Sequence, residues 1–420
     1  MRSLRIVPRG IPMPGAYGRE ARVSIRGRAA RVAGLDMTIA TATVAVSALY
    51  WLEAGISAVL GNRRTPGLAS LEPLADRELP SLSIVAAARD EAGRVEQAAR
   101  SLLAQDYPLV RIILVDDRSV DETGRILDRI AAEDSRLRVL HVESLPEGWI
   151  GKCHALALGA EAAESDWILF TDADVTLAPD AARRAVSLAV REGWDHVAVA
   201  PDMRIEGLSE AVFIAAFVVI FNATLRTWLA SDPRRKNAIG IGAFNLVKRK
   251  AYQPAGGHSK IRYELLDDIA LGKILKESGA RQVFARHDGR VAVRWHSGVR
   301  GLVRGVEKNA FPAARYSILL GLVAPWIQLA LAWAPVIGLL LPGAIPKIAA
   351  LAAWAGVFLC YRAAARNVSI RIWQAILMPV GVTLFLYSFA RSMIVTLKQG
   401  GVIWRGTFYP LSDLRRWRVW

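Results

Sequence analysis

The sequence predicts an α/β protein with a mostly parallel, doubly wound sheet, bracketed by apolar helices at both ends. Three observations carry this. Between residues 81 and 172, short β-rich runs alternate with stretches of helical apolar spacing, the order that builds a parallel sheet with helices on both faces. Uncharged stretches long enough to cross a bilayer stand on either side of the mixed part. Finally, 53% of the 420 residues are hydrophobic although 22% are charged, so polarity is segregated along the chain.

Residues 1–36 hold eight Arg, with Glu20 and Asp36 as the only acids and no apolar period. This composition predicts a disordered, Arg-rich extension, and Met37 is an alternative start of translation. Thr38 to Leu60 is a 23-residue apolar stretch interrupted by Glu53, which predicts a transmembrane helix over 37–61. It lies too far from the N-terminus for a simple signal peptide. A linker rich in proline and charge covers 62–80, and 81–315 reads as globular.

Within the globular part, strands are predicted at Ser81–Ala88, Arg111–Asp117, Arg136–Val142 and Asp166–Asp172. Helices are predicted at Glu91–Gln105, Asp121–Glu133 and Gly151–Ala163. Ile239–Tyr252 reads as a glycine-flanked strand, and Asp267-Asp268 open an amphipathic helix. Leu208–Ala230 contains a 13-residue apolar run, Ala211 to Ala223. That run is too short to span comfortably and reads as a core helix or an interfacial one.

Over 316–398 the chain predicts two or three transmembrane or re-entrant helices. Ser317 to Leu341 is uncharged for 25 residues but carries Pro325 and Pro335, Ile348–Tyr361 is short, and Ile372–Ala390 is uncharged for 19. Arg362, Arg366 and Arg371, with a basic tail over 399–420, put cytoplasm at both places. Three full spans cannot do that, so one segment is expected to be re-entrant, interfacial or split. These flanks account for the net charge of +16, from 54 Lys+Arg against 38 Asp+Glu. Nucleic acid is disfavoured as a partner, because no basic stripe with interleaved aromatics occurs in the globular part. Cys153 and Cys360, the two cysteines, have no metal or redox spacing and read as buried or lipid-facing thiols.

Ligands of open parallel sheets bind outside the carboxyl ends of the strands. Three predicted strands end there in acids: Arg89-Asp90-Glu91, Asp116-Asp117 and Asp172-Ala173-Asp174. Residues two apart on a strand face the same way, so Asp172 and Asp174 converge if the extended backbone persists through Ala173. A rim this acidic is favourable when a cation sits there, and few hard oxygen ligands suit Mg²⁺ or Mn²⁺. The plainer reading of Asp-x-Asp is a turn or a helix cap. Lys152 follows Gly151 at a helix start, where a phosphate is favoured; the plainer reading is a turn and a solvated lysine. Asp267-Asp268 either complement a helix dipole or present Asp268 as a general base.

In this order, "AAARDEA", "LVDDRSVDETG", "GWIGKCHALALGA", "LFTDADV" and "LLDDIALG" resemble the membrane-associated enzymes of glycosyltransferase family 2, and in particular bacterial members that glycosylate lipids, the hopanoid-associated, carotenoid and ceramide types. The likeness covers about residues 80–300. The tail "GGVIWRGTFYP" is similar to the ending of several of them. The resemblance implies a GT-A fold, Rossmann-like, over 81–315. It also implies an inverting transfer from a UDP- or GDP-sugar to a membrane lipid acceptor at the inner membrane, with the catalytic domain cytoplasmic. By the same likeness Asp117, Arg89 and Glu91 hold the nucleotide, Lys152 meets the diphosphate, and Asp172 contacts the ribose or supports the metal. Asp174 ligates Mg²⁺ or Mn²⁺, and Asp268 takes the acceptor's proton.

One motif departs from the pattern. Many relatives carry Gln/Arg-x-x-Arg-Trp some 35–40 residues after the base; here Glu307-Lys308 stand in place of Arg-Trp. That loss counts against a processive polysaccharide synthase, the first alternative. Intact Asp117, Asp172, Asp174 and Asp268 count against the second, a catalytically silent membrane scaffold. His296 lies nearby and reads as a structural imidazole.

Overall fold

The computed structural model describes residues 16–419. It opens with helix α1, Ala16–Arg64. Residues 1–15 of the segment expected to be disordered lie outside the described residues. From Ala16 onward that segment forms part of α1 instead. After Pro14 no proline interrupts it before Pro66, and Ala and Arg, both strong helix formers, dominate.

The globular part then alternates as β1 (Leu82–Ala88), α2 (Val95–Leu103), β2 (Val110–Asp117), α3 (Thr123–Glu133), β3 (Leu137–Val142), α4 (Gly151–Glu161) and β4 (Trp167–Asp172). Alternate residues of β1 enter different cores, as a period of two requires. Ile84 packs with Val95, Leu102 and Leu127 on one face, and Val85 with Leu156 and Ile274 on the other. Burial on both faces is why these strands read as continuous apolar runs.

The chain continues through β5 (Val175–Leu177), α5 (Ala181–Glu192), β6 (His196–Ala200), β7 (Asp202–Met203), α6 (Leu208–Leu225), β8 (Asn245–Lys248), α7 (Arg249–Tyr252), α8 (Gly257–Lys260), α9 (Asp267–Glu277), β9 (Gln282–Arg286) and β10 (Val291–Val293). Seven strands form a mixed, mostly parallel sheet in the order β3-β2-β1-β4-β8-β6-β9. Only β8 is antiparallel to its neighbours β4 and β6. A small sheet, β5-β10-β7, stands beside it. The register aligns the acidic strand ends: Ala88 lies opposite Asp116 and Ala87 opposite Asp172. The carboxyl ends of β2, β1 and β4 therefore form one rim.

An amphipathic helix, α10 (Gly298–Ala313), leads to α11 (Ile318–Leu340), α12 (Ala344–Ala364) and α13 (Met378–Gln399). Among the described residues, five helical segments are long and apolar enough to cross a membrane: 36–64, 208–231, 318–340, 344–364 and 372–399. Segment 208–231 meets that measure by length and composition, yet it joins β6 and β8, which are neighbours in one sheet, so both its ends lie on one side and it reads as a core or interfacial helix. Small residues set the close helix contacts. A Cβ on Gly55 of α1 would lie 2.5 Å from the carbonyl oxygen of Gly356 of α12, and one on Gly356 would lie 2.3 Å from the Trp51 backbone, an arrangement that lets helices approach without a strong hydrophobic drive.

The chain ends in the hairpin β11 (Gly401–Trp404) and β12 (Thr407–Pro410), followed by α14 (Leu411–Arg416). Trp404 pairs with Thr407 across a two-residue turn. Both turn residues, Arg405 and Gly406, have positive φ, 49° and 74°, the turn that matches the twist of paired strands. Both ends of the α13 segment touch the globular part. Before it, His287 meets the carbonyl of Asn367 and Ser369 donates to Asp202. After it, Arg405 donates to the carbonyl of Arg89, and Gly151 N–H donates to the Tyr409 hydroxyl.

Candidate active site

The rim of β2, β1 and β4 gathers side chains from distant parts of the chain around Lys152. This lysine sits in the first turn of α4, with Nζ 2.8 Å from Asp172 Oδ1 and 3.2 Å from Asp267 Oδ2. Burial alone would lower its pKa, but Asp172, Asp267 and Asp268 hold it well above the usual lysine range. The same pairing works in reverse on Asp172. Burial pushes that carboxyl up, and Lys152 outweighs it, leaving Asp172 below the ordinary value. Gly242 makes room, since a Cβ there would lie 2.8 Å from Asp172 Oδ2.

Asp267 and Asp268 share the first turn of α9 but have different partners. Asp267 is committed to Lys152. Asp268 is held by backbone amides: Gly242 N–H donates to Oδ2 at 2.7 Å and Ile269 N–H to Oδ1 at 2.8 Å. Burial first and the adjacent Asp267 second raise the Asp268 carboxyl to about 6, against the pull of Lys152. The backbone that carries it is packed tightly, because a Cβ on Gly240 would lie 1.7 Å from the Asp268 carbonyl oxygen.

Asp174 lies beyond the end of β4. The extended backbone stops at Asp172, and Ala173-Asp174 form a turn into β5, so the condition for the two carboxylates to share a strand face, an extended Ala173, is not met. They remain electrostatic neighbours. Burial, then Asp172 and Glu91, raise Asp174 to about 6, while Arg94, at 3.3 Å, pulls it down. Among the described residues no three His, Cys, Asp or Glu side chains are grouped so as to hold a metal ion.

Asp117 occupies the other side of the rim. Arg118 Nε donates to its Oδ1 at 2.7 Å, and Arg89 lies 3.9 Å from Oδ2. It sits against the start of α4, where a Cβ on Gly151 would lie 2.3 Å from Asp117 Oδ2. The loop after β1 is braced to the loop after β2. Asp90 N–H donates to the Ser119 hydroxyl, Glu91 N–H to the Thr123 hydroxyl, and Val120 N–H to Asp90 Oδ1.

Several residues that the sequence does not assign to the site also reach the rim. Arg405, at the hairpin tip, donates to the carbonyl of Arg89 at 2.7 Å and pairs with Glu91. Lys308 of α10 lies over the Trp404 ring, 4.3 Å from its centroid. Burial first, then Lys152, bring the Lys308 ammonium down to about 8, against the pull of Asp172 and Asp267. His296 lies among these cations, and burial together with Lys308, Arg94 and Arg405 holds its imidazole down to about 4. The Trp-Arg-Gly of the tail was visible as a motif, but its place over the rim was not.

Residues 83–254 match Glycosyl transferase family 2. Two curated relatives are 4,4'-diaponeurosporenoate glycosyltransferases of Staphylococcus aureus. That of strain bovine RF122 / ET3-1 is 29% identical and that of strain USA300 is 28% identical, each over 194 residues, 46% of this chain and 50% of the relative. The chain thus spans about half the length of the curated relatives it matches. Among solved structures, it is similar to the mannosyltransferase PcManGT from Pyrobaculum calidifontis in complex with GDP-Man and Mn²⁺. That match has a TM-score of 0.49 and 20% identity, covering 81% of this chain and 97% of that one.

Proposed function

We propose that the chain, whose residues 83–254 match Glycosyl transferase family 2, is an inverting, metal-dependent transferase that moves a sugar from a UDP- or GDP-sugar to a membrane lipid acceptor. The observation that carries this reading is the convergence of Asp117, Asp172, Asp174 and Asp268 on one strand rim around Lys152.

Asp117, Arg89 and Glu91 lie where a nucleotide would rest against the loops after β1 and β2. Lys152 would exchange part of its contact with Asp172 and Asp267 for the diphosphate. Crowding of Asp174 by Asp172 and Glu91 is an unfavourable arrangement that a cation relieves, and two carboxylates with substrate phosphates fit the habit of Mg²⁺ or Mn²⁺. Asp174, supported by Asp172, would hold the ion, which when bound neutralises charge developing on the departing diphosphate. Asp268, free of any cation within ion-pair distance among the described residues and raised towards neutrality, suits a general base. It would take the proton of the acceptor hydroxyl as the acceptor oxygen bonds to the anomeric carbon. The bond from that carbon to the diphosphate oxygen breaks on the opposite face, its electron pair leaving with the nucleotide.

The long apolar helices among the described residues support membrane association. Because the tail hairpin touches the loops of the globular domain, tail and domain share one side, which requires an even number of complete crossings between residues 316 and 400. Contacts with the domain at both ends of the α13 segment favour α13 as the segment that does not cross. The Arg cluster at Arg362, Arg366 and Arg371 then supports a cytoplasmic assignment for that side. A lipid acceptor is in keeping with the S. aureus relatives, named for glycosylating 4,4'-diaponeurosporenoate. Mass spectrometry of lipid extracts from cells with and without the protein tests the reading. A glycolipid present only with the active protein, and absent with Asp268→Asn, is expected; identical lipid profiles contradict it.

A further inference from the structure

The cations at the rim differ in one respect. Lys152 is paired with Asp172 and Asp267, Arg94 with Asp174, Arg405 with Glu91, and Arg89 and Arg118 with Asp117. Lys308 has no carboxylate within ion-pair distance among the described residues. Its ammonium is held instead by the face of Trp404 at 4.3 Å, a contact that orients a cation without neutralising it. It nevertheless lies within the electrostatic reach of Lys152, Asp172, Asp267 and Arg405.

Backbone geometry fixes this placement. Lys308 comes from α10. Trp404 is delivered by a hairpin whose tip is clamped to the loop after β1 through Arg405 and whose second strand meets the first turn of α4 through Tyr409. An ammonium with no anion, positioned by an aromatic ring beside an occupied lysine, is a vacant half of an ion pair. A phosphate oxygen is its natural complement, because a lysine serves phosphate as a point charge.

We propose that Lys308, positioned by Trp404, binds the diphosphate of the sugar donor together with Lys152. This rests on the transferase reading above. Arg405 is the hinge of the arrangement, since it ties the hairpin to Arg89 and Glu91.

Calorimetric titration of the full-length protein in detergent with Mn²⁺ tests this, using GDP and UDP, with GMP and UMP as monophosphate controls. Lys308→Met is expected to weaken binding of the preferred diphosphate about tenfold or more, the scale of one lost charge-assisted contact, and to leave the matching monophosphate unchanged. Lys308→Gln should repeat the loss and guards against a folding defect peculiar to one variant. Lys308→Arg should recover most of the affinity. Trp404 acts by positioning, so Trp404→Phe should keep diphosphate affinity and Trp404→Leu should lose part of it. Equal diphosphate affinity in the wild type and both neutral variants, or an equal loss for mono- and diphosphate, overturns the proposal and leaves the transferase reading standing. A wild type that binds neither GDP nor UDP overturns both.

Discussion

In the sheet domain the charged side chains at the strand rim are paired almost one for one, as with Lys152 against Asp172 and Asp267 or Arg94 against Asp174. The helices from Ile318 to Gln399 instead turn large apolar residues outward. Trp326 is 71% exposed and Leu340 82%, and Leu319, Ile345 and Ile348 are similar. The sheet domain hides its apolar residues and concentrates charge in one place; the helical part hides small residues such as Gly55 and Gly356 and shows bulky ones. The first pattern suits water and a charged ligand, the second a hydrocarbon surround. The hairpin β11–β12 joins the two, since it follows α13 and reaches the rim.

The largest effect separating the two regions should come from Asp268→Asn. Turnover is expected to fall by about 10² to 10⁴, the usual cost of a lost general base, with the melting temperature little changed. Radiolabelled sugar transfer and differential scanning fluorimetry on one preparation measure both. A change in rate below threefold would remove Asp268 from its role.

Backbone crowding gives the next effect. Gly240→Ala puts a methyl group 1.7 Å from the carbonyl of Asp268, and because the obstacle is backbone it has no side chain to move aside. Overpacking of this kind costs about 1–3 kcal/mol, and the shift should carry Asp268 away from its site. Melting temperature and turnover should therefore drop together, whereas Asp268→Asn drops turnover alone.

Gly356→Leu strikes the other region. It forces α12 away from the Trp51 backbone of α1 and should lower thermal stability in detergent. Binding of GDP or UDP by the sheet domain should survive within about threefold, given that sites without shared partners act nearly independently. Loss of nucleotide binding would show that the two regions are coupled more tightly than their contrasting surfaces imply.

The smallest effect is in pH. The base must be ionised to accept a proton, and Asp268 in the folded protein is raised to about 6. Turnover should therefore rise with pH up to about 6 and level off above it, falling near tenfold for each further unit of acidity below. A pH–rate profile flat from 5 to 8 would contradict this.

The strands that carry the rim were legible in the sequence for a physical reason. β1, β2 and β4 are buried on both faces, so each is an apolar run that stops abruptly at acids, and the parallel alternation puts those acids at one end. Strand direction leaves no such mark. Asn245–Lys248 runs antiparallel between β4 and β6, and nothing in its composition distinguishes that from a parallel strand. The turn at Ala173-Asp174 was hidden for a related reason, because Asp-x-Asp has the same residue spacing in a strand and in a turn. The cover over the rim was the least legible part. Arg405 and Arg89 are 316 residues apart, and no local pattern encodes a meeting over that distance. Likewise Lys308 stands out in sequence only as part of the motif that departs from the family pattern, and only the fold shows the ring it rests on.

The central claim, that acids from distant segments form one metal-dependent donor site, is tested most directly by release of nucleoside diphosphate from UDP- and GDP-sugars. Purified membranes carrying the wild-type chain or Asp174→Ala would be compared with and without Mn²⁺ or Mg²⁺. Metal-dependent release by the wild type, lost in Asp174→Ala, is the predicted result. No metal-dependent release from any such donor, or equal release by the two proteins, would contradict it.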